Sequence, residues 1–571
     1  MLSSRLTVLA AAMLAGPATA AAQRATPVPD ATALRAVAHA YYEWRDTSYP
    51  VGSSDQGRHT WDDRLTDYSR SAVLERRRHV AQLLARVRAT STAGWSRDDR
   101  IDWLLFRSQL EGVEFFDRVM SPEETNPQVY VGECSNAIFS LLKKEYAPHR
   151  TRALAATARL RKMPALLAQG DANLVRPVRL NAQLAIEAAR SIDDLFDKSL
   201  TLADSLSPAE RGDLERARDS AVAALHGFAD RLERRLPTMV AWRPMGEANY
   251  NYLLQHVYLL PLDASAVAML GEAELARFRG QEAMLPNPAL ASPDPARAPR
   301  IPKDQEEFLA AYQAREHEII DYLTTNRLVT LPAYLGPFLI RQLPEAFKPT
   351  SPGGFMNPPG IYDADASGFY FIPTYNPASG NFYIRAAIED PRPILGHEGI
   401  PGHFLQLSIA NHLTDEIRRQ HSDGVFIEGW AFYTEEMLQR RGMYGDSSAG
   451  GAQVLRLGRY RAARIGVDVN LQTGRWTFAE AAHYFQEAGG LDSEAATGEA
   501  AGAASSPSQK ITYMVGKWQI QRMLGAYRDH HPDDFRLGAF HDQLLSYGSL
   551  PLSVVQWLML GDSTAAMQVS R

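Results

Sequence analysis

The stretch YSRSAVLERRRHVAQLLARVRAT, residues 68–90, decides the fold class. Val73, Val80, Leu84 and Val87 recur on one face of a 3.6-residue period, while Arg76, Arg77, Arg78 and Arg86 fall mainly elsewhere. That is the pattern of a helix with one buried stripe. Residues 304–325 read the same way through Phe308, Tyr312, Ile319 and Leu323. Ser207-Pro208-Ala209-Glu210 is a helix start, with a serine cap, proline at the first position and glutamate at the third. From about 30 to 240 nearly every segment is long and helical with short connections, which predicts a bundle and not alternating β-α-β units.

The texture changes between about 326 and 385. Pro332, Pro337, Pro344, Pro349, Pro352, Pro358 and Pro359 interrupt helices, and Gly353, Gly354 and Gly360 mark turns. Two strands are expected there, Leu328–Leu331 and Gly368–Thr374, the second rich in aromatics. Helical texture then resumes almost to the C-terminus, with the Ala/Gly/Ser-rich stretch 493–506 either a loop or a weak helix. The fold class is mainly α, a large multi-helix molecule with a small β element near residues 328–375. Three regions are expected: a signal peptide (1–22), an N-terminal helical region (23–240) and a catalytic region (241–571). The last two form one continuous elongated domain.

Composition narrows the classes. The 571 residues carry 60 Lys+Arg against 66 Asp+Glu, a net charge of −6, and 45% are hydrophobic. That excludes wholesale disorder and gives no basic face for nucleic acid. The single cysteine, Cys134, excludes internal disulfides, Cys-rich zinc ribbons and iron–sulfur clusters. Arg5, the apolar run Leu6–Ala15 and Ala18-Thr19-Ala20 read as a cleavable export signal, too short to span a bilayer. A periplasmic or secreted protein without a membrane anchor is expected.

The chemistry is concentrated in HEGIPGH, His397–His403. A catalytic zinc ion takes three protein ligands and leaves one position open, and a glutamate beside the first ligand can take a proton from water. The spacing departs from His-Glu-x-x-His. On an ideal helix Pro401 shares the azimuth of His397 and His403 lies about 120° away. Both histidines reach one metal only if the helix is bulged or loosened at Pro401-Gly402. Otherwise Pro-Gly merely ends a helix that a histidine caps. Downstream, EGWAFYTEE places Glu428 and Glu435 seven residues apart on one face among apolar neighbours, with Asp423 or Ser422 as cap. A carboxylate buried there needs a partner such as zinc, whereas Glu435 and Glu436 also suit a solvated helix end. Gln509, Tyr513 and Lys517 stand at i, i+4 and i+8, so Tyr513 is either an oxyanion donor or a core aromatic.

HEGIPGH with EGWAFYTEE downstream resembles the bacterial domain-of-unknown-function 885 (DUF885) family, grouped with the gluzincin zinc metallopeptidases. The resemblance covers most of the mature chain, including the aromatic strand and Gln509–Lys517. It implies a mostly helical metallopeptidase with one zinc ion in a cleft, held by His397, His403 and Glu428, with Glu398 as general base and a peptide as substrate. Where the family commonly has a histidine doublet, this chain has His403-Phe404. Tyr513 is the expected oxyanion donor, Glu435 the residue behind the ligands, and Tyr370, Arg385, Lys517 and Arg522 candidate substrate contacts. Arg392 is a further candidate. The other readings are a zinc amidase acting on cell-wall or modified peptides, and a periplasmic helical binding or scaffold protein with a structural zinc.

Overall fold

Side-chain caps set the helix starts. In the computed structural model, which describes residues 25–285, 302–348, 351, 353–379, 381–444 and 449–570, the first quoted stretch forms the helix Arg70–Arg88. Ser69 accepts from the Ala72 amide, and Val73, Val80, Leu83, Leu84 and Val87 are buried. Ser207 and Glu210 form the reciprocal capping box of the helix Pro208–Arg235. Asp304 caps Gln305–Thr325, whose Phe308, Tyr312, Ile319 and Leu323 point into the core. The fold is mainly α with one small sheet. The export signal, Pro349 and Pro352 lie outside the described residues.

The sheet has strands β1 (Phe338–Gln342), β2 (Phe355–Asn357) and β3 (Gly368–Ile372) in the order β1-β3-β2. β1 runs parallel to β3, pairing Phe338 with Gly368, and β2 runs antiparallel, pairing Phe355 with Phe371. Alternation along β3 divides its side chains between two cores: Tyr370 and Ile372 enter the larger, Phe369 and Phe371 the second. The expected strand at Leu328–Leu331 is not one. Leu328 and Val329 are buried, but polar side chains take their backbone neighbours: His541 Nδ1 lies 2.7 Å from the Leu328 carbonyl, and the Thr330 amide donates to Asp542. Residues 493–505 are a helix, capped by Asp492.

The larger core gathers Val28, Leu34 and Phe106 with Leu405, Trp430, Met514 and Val569, so it crosses residue 240 without a seam. The second core is built mainly from residues 51–239 and closes against the sheet. No helix among the described residues is long and apolar enough to cross a membrane.

Candidate metal centre

His397 sits near the end of the helix Arg392–Glu398, and His403 begins the next helix, His403–Ala410. The chain between them is a complete break, and not the loosened helix expected from Pro401-Gly402. Gly399, Ile400, Pro401 and Gly402 form a turn containing a cis Ile400–Pro401 bond. A Cβ on Gly402 would stand 1.9 Å from the His397 carbonyl oxygen, so only glycine lets the chain double back this closely. Behind the turn, Phe338 of β1 stacks on Phe404 at 5.1 Å, and Gly368 of β3 leaves room for the same ring. The sheet thus backs the motif.

The helix Gly424–Arg440, capped by Asp423 through the Phe426 amide at 2.7 Å, runs alongside. Trp430 Nε1 donates to the Pro401 carbonyl at 2.7 Å and Thr434 Oγ1 to the Gly396 carbonyl at 3.1 Å. These bonds hold the Glu428 helix against the turn. Glu428 Oε2 then lies 3.5 Å from His397 Nε2 and 3.3 Å from His403 Nε2, and ligand atoms of all three residues fall within 4.8 Å of one another.

These residues fit a zinc ion. A tetrahedral ion with ligands at about 2.0–2.1 Å spaces them about 3.3 Å apart, close to the two separations found. Glu428 Oε2 is buried without a hydrogen-bond partner, as a carboxylate oxygen waiting for a cation would be. Burial opposes charge on His397, but Glu428 and Glu435 overcome it and push its pKa up to about 9. Burial likewise opposes charge on Glu428, and His403 and His397 hold it well below the usual carboxylate range. The pocket of potential is one that favours added positive charge. Glu398, half-buried beside His397, is pushed up by burial despite both histidines.

Behind the ligands stands a relay. Glu435 Oε1 contacts His397 Nδ1 at 2.7 Å, at an angle short of a regular hydrogen bond, and its Oε2 accepts from Arg461 at 2.8 Å. Arg461, on the helix Ala449–Gln472, is buried between the rings of Phe432 and Tyr513 at 5.0 and 5.5 Å. Sequence reasoning missed it. An arginine on a helix reads as solvated, and its partner lies 26 residues away.

Tyr513 comes from the helix Thr512–His530 and stacks on the His397 ring at 5.9 Å and 15°. Its hydroxyl accepts from Gln509 Nε2 at 3.2 Å. Burial and Glu428 raise its pKa, so it keeps its proton at neutral pH. Lys517 is placed elsewhere. It is fully buried, 2.6 Å from Glu436 and 3.4 Å from Glu274, which occupies it as a core ion pair and not as a substrate contact. Tyr370 is buried in the core beside Tyr312 and Phe338. Arg392 pairs with Asp390 and Glu318, Arg385 is exposed, and Arg522 is exposed against Trp518 at 4.7 Å.

Comparison with known proteins places the fold. A candidate lipoprotein of unknown function from Shewanella oneidensis is similar with a TM-score of 0.71 and 20% identity, over 92% of this chain and 99% of that one. A candidate lipoprotein from Colwellia psychrerythraea is similar with a TM-score of 0.75 and 18% identity, over 95% and 99%. Among proteins with curated descriptions, none matches. The family described as bacterial protein of unknown function (DUF885) matches residues 50–559, a span that holds both histidines, Glu428, Arg461 and Tyr513, and the chain belongs to that family.

Proposed function

We propose that the protein is an exported zinc-dependent peptidase of the gluzincin type. The observation that carries the reading is the convergence of His397, His403 and the unpartnered Glu428 oxygen, with Glu398 beside them. Three protein ligands leave a position for water, whereas a structural site usually closes all four. A bound zinc ion would supply Lewis acidity, polarising a carbonyl and lowering the pKa of water.

The protein's own groups divide the remaining work. Glu398 accepts the proton that the attacking water gives up and returns it to the leaving amine nitrogen. Its raised pKa suits both directions of transfer. Tyr513, protonated and stacked beside His397, donates to the carbonyl oxygen as charge develops there. Glu435 and Arg461 fix the ring of His397. Export is supported by the sequence of residues 1–22 and by the candidate-lipoprotein description of the two structural neighbours.

Metal analysis together with a peptide library tests the reading. One zinc per chain and cleavage of internal or terminal peptide bonds are expected. Glu398→Gln keeps the metal and lowers turnover about 10²–10⁴-fold. Full turnover by that variant sinks the mechanism, and loss of metal recasts Glu398 as a ligand.

A further inference from the structure

A cavity of about 530 Å³ opens between the N-terminal helices and the helices that carry His403 and Glu428. Its size falls within the roughly 300–1,000 Å³ of small-ligand sites. Two residues tie it to the candidate metal centre. Leu407 lines it and stands one helical turn after His403, on the same face. Ile427 lines it and immediately precedes Glu428. On the buried helix His403–Ala410, Leu407 is one of few half-buried positions, and Gly424, Ile427 and Glu428 form the half-buried edge of the next helix. The faces that present the ligands therefore continue into the cavity wall.

The wall is chiefly apolar, with Tyr41, Trp44 and Val113 from the N-terminal helices and Leu407 and Ile427 from the helices of His403 and Glu428. Several of its polar members already have partners, although His421 Nδ1 has none. Asp46 pairs with Arg45 at 2.8 Å and Arg58 at 3.3 Å, and Gln420 bonds both Arg45 and Tyr362. His421 is buried, and burial keeps it neutral. Arg419 alone among the lining cations has no carboxylate within ion-pair distance among the described residues, and its Nε is unpartnered. A charge at one point does not make an ionic site of a mainly aromatic and aliphatic chamber.

We propose that this cavity is a specificity subsite that receives a bulky apolar or aromatic side chain next to the scissile bond of the peptide. The proposal rests on the peptidase reading above. Gly52 offers the means to test it. It lines the cavity from the short helix Pro50–Asp55, its φ is not positive, and a Cβ there meets nothing within 4 Å. Gly52→Trp therefore intrudes on the chamber from a wall that tolerates a side chain, and Gly52→Ala is the control.

Peptides differing only in Phe, Ala or Glu on either side of the scissile bond are compared. The wild type is expected to favour Phe over Ala at one of the two positions by about tenfold or more in kcat/KM. Gly52→Trp abolishes that preference while cleaving the Ala peptide within about threefold of wild type, the size of change that leaves the chemistry itself untouched. Equal rates for Phe and Ala, a preference for Glu, or a preference unchanged by Gly52→Trp overturns the proposal. Should Gly52→Trp melt well below wild type, Val113→Phe replaces it with the same expected result. Binding of N-acetyl-phenylalaninamide against N-acetyl-alaninamide separates the two readings. If no peptide is cleaved yet the phenylalanine probe binds more tightly and Gly52→Trp removes the difference, the peptidase reading fails while the cavity stands as a site for apolar side chains. If peptides are cleaved and the probes bind alike, the subsite fails alone.

Discussion

Arg461 reaches the candidate metal centre only through other side chains, which makes its role separable. It holds Glu435, which holds His397, and it packs on Tyr513. Loss of a residue that orients a ligand typically costs about 10–100-fold in metal affinity. Arg461→Met should therefore weaken zinc binding by about that factor in a competitive chelator titration, although it touches no ligand atom. Unchanged zinc affinity would reduce Arg461 to packing. Tyr513→Phe makes the opposite prediction. Its zinc content stays at wild-type level while kcat falls about 10²–10³-fold, the usual effect of losing one oxyanion donor. A drop of tenfold or less in single-turnover measurements would return the ring to a structural role.

Elements deliver these residues to one place, and the tightest delivery is a crossing of two helices. Gly429 and Gly516 face each other, and a Cβ on Gly516 would sit 1.8 Å from the Val425 carbonyl oxygen. Alanine at 516 gains up to about 1 kcal/mol of helix propensity. The clash is with backbone that cannot rotate away, and overpacking of this kind costs about 1–3 kcal/mol, so the clash wins. Gly516→Ala should lower Tm and also slow hydrolysis, because the helix that must shift carries Tyr513 three residues earlier. Wild-type kcat in a destabilised Gly516→Ala protein would separate the crossing from the site.

The same elements explain what the sequence makes legible. Helix faces such as Val73–Val87 are local and periodic, so they can be read from one stretch. Leu328-Val329 resembles a strand because buried β-branched runs look alike, and only the distant His541 and Asp542 reveal where its backbone bonds go. The strand Phe338–Gln342 hides between Pro337 and Pro344, and its partner begins 30 residues on. His397, His403 and Glu428 stand out by residue type. Lys517 and Arg461 look interchangeable in sequence, and burial against Glu436 or Glu435 alone decides what each does.

At the scale of the molecule, stability is tied to charge at two points. Glu316 is buried, and burial pushes its pKa up to about 7 with only Gln313 to offset it. Below its ordinary value of 4.5 both states are protonated. Between 4.5 and 7 the unfolded chain ionises first, so stability falls as pH rises, by about 3 kcal/mol when complete. Glu316→Gln should accordingly raise Tm at pH 8 and have little effect at pH 4. An equal gain at both pH values would assign the effect to packing. The candidate metal centre is the other point, and the proposed zinc ion would add to stability there. A chelator should lower Tm in proportion to the logarithm of zinc affinity, without unfolding the protein, since Trp430 holds the turn at 399–402 and Thr434 the helix before it, independently of any ion.

The core that runs through residue 240 has a consequence for synthesis. Val28 and Val569 belong to one cluster, and the Arg107 guanidinium donates to the Ser570 carbonyl at 2.8 Å. The N-terminal residues of this larger core, Leu34 and Phe106 among them, must therefore wait for the last helices before their cluster is complete. The nascent polypeptide thus carries two halves on different schedules: the cluster built mainly from residues 51–239 is largely complete early, whereas the surface that Leu34 and Phe106 bury stays open, and a target for chaperones, until the last helices emerge.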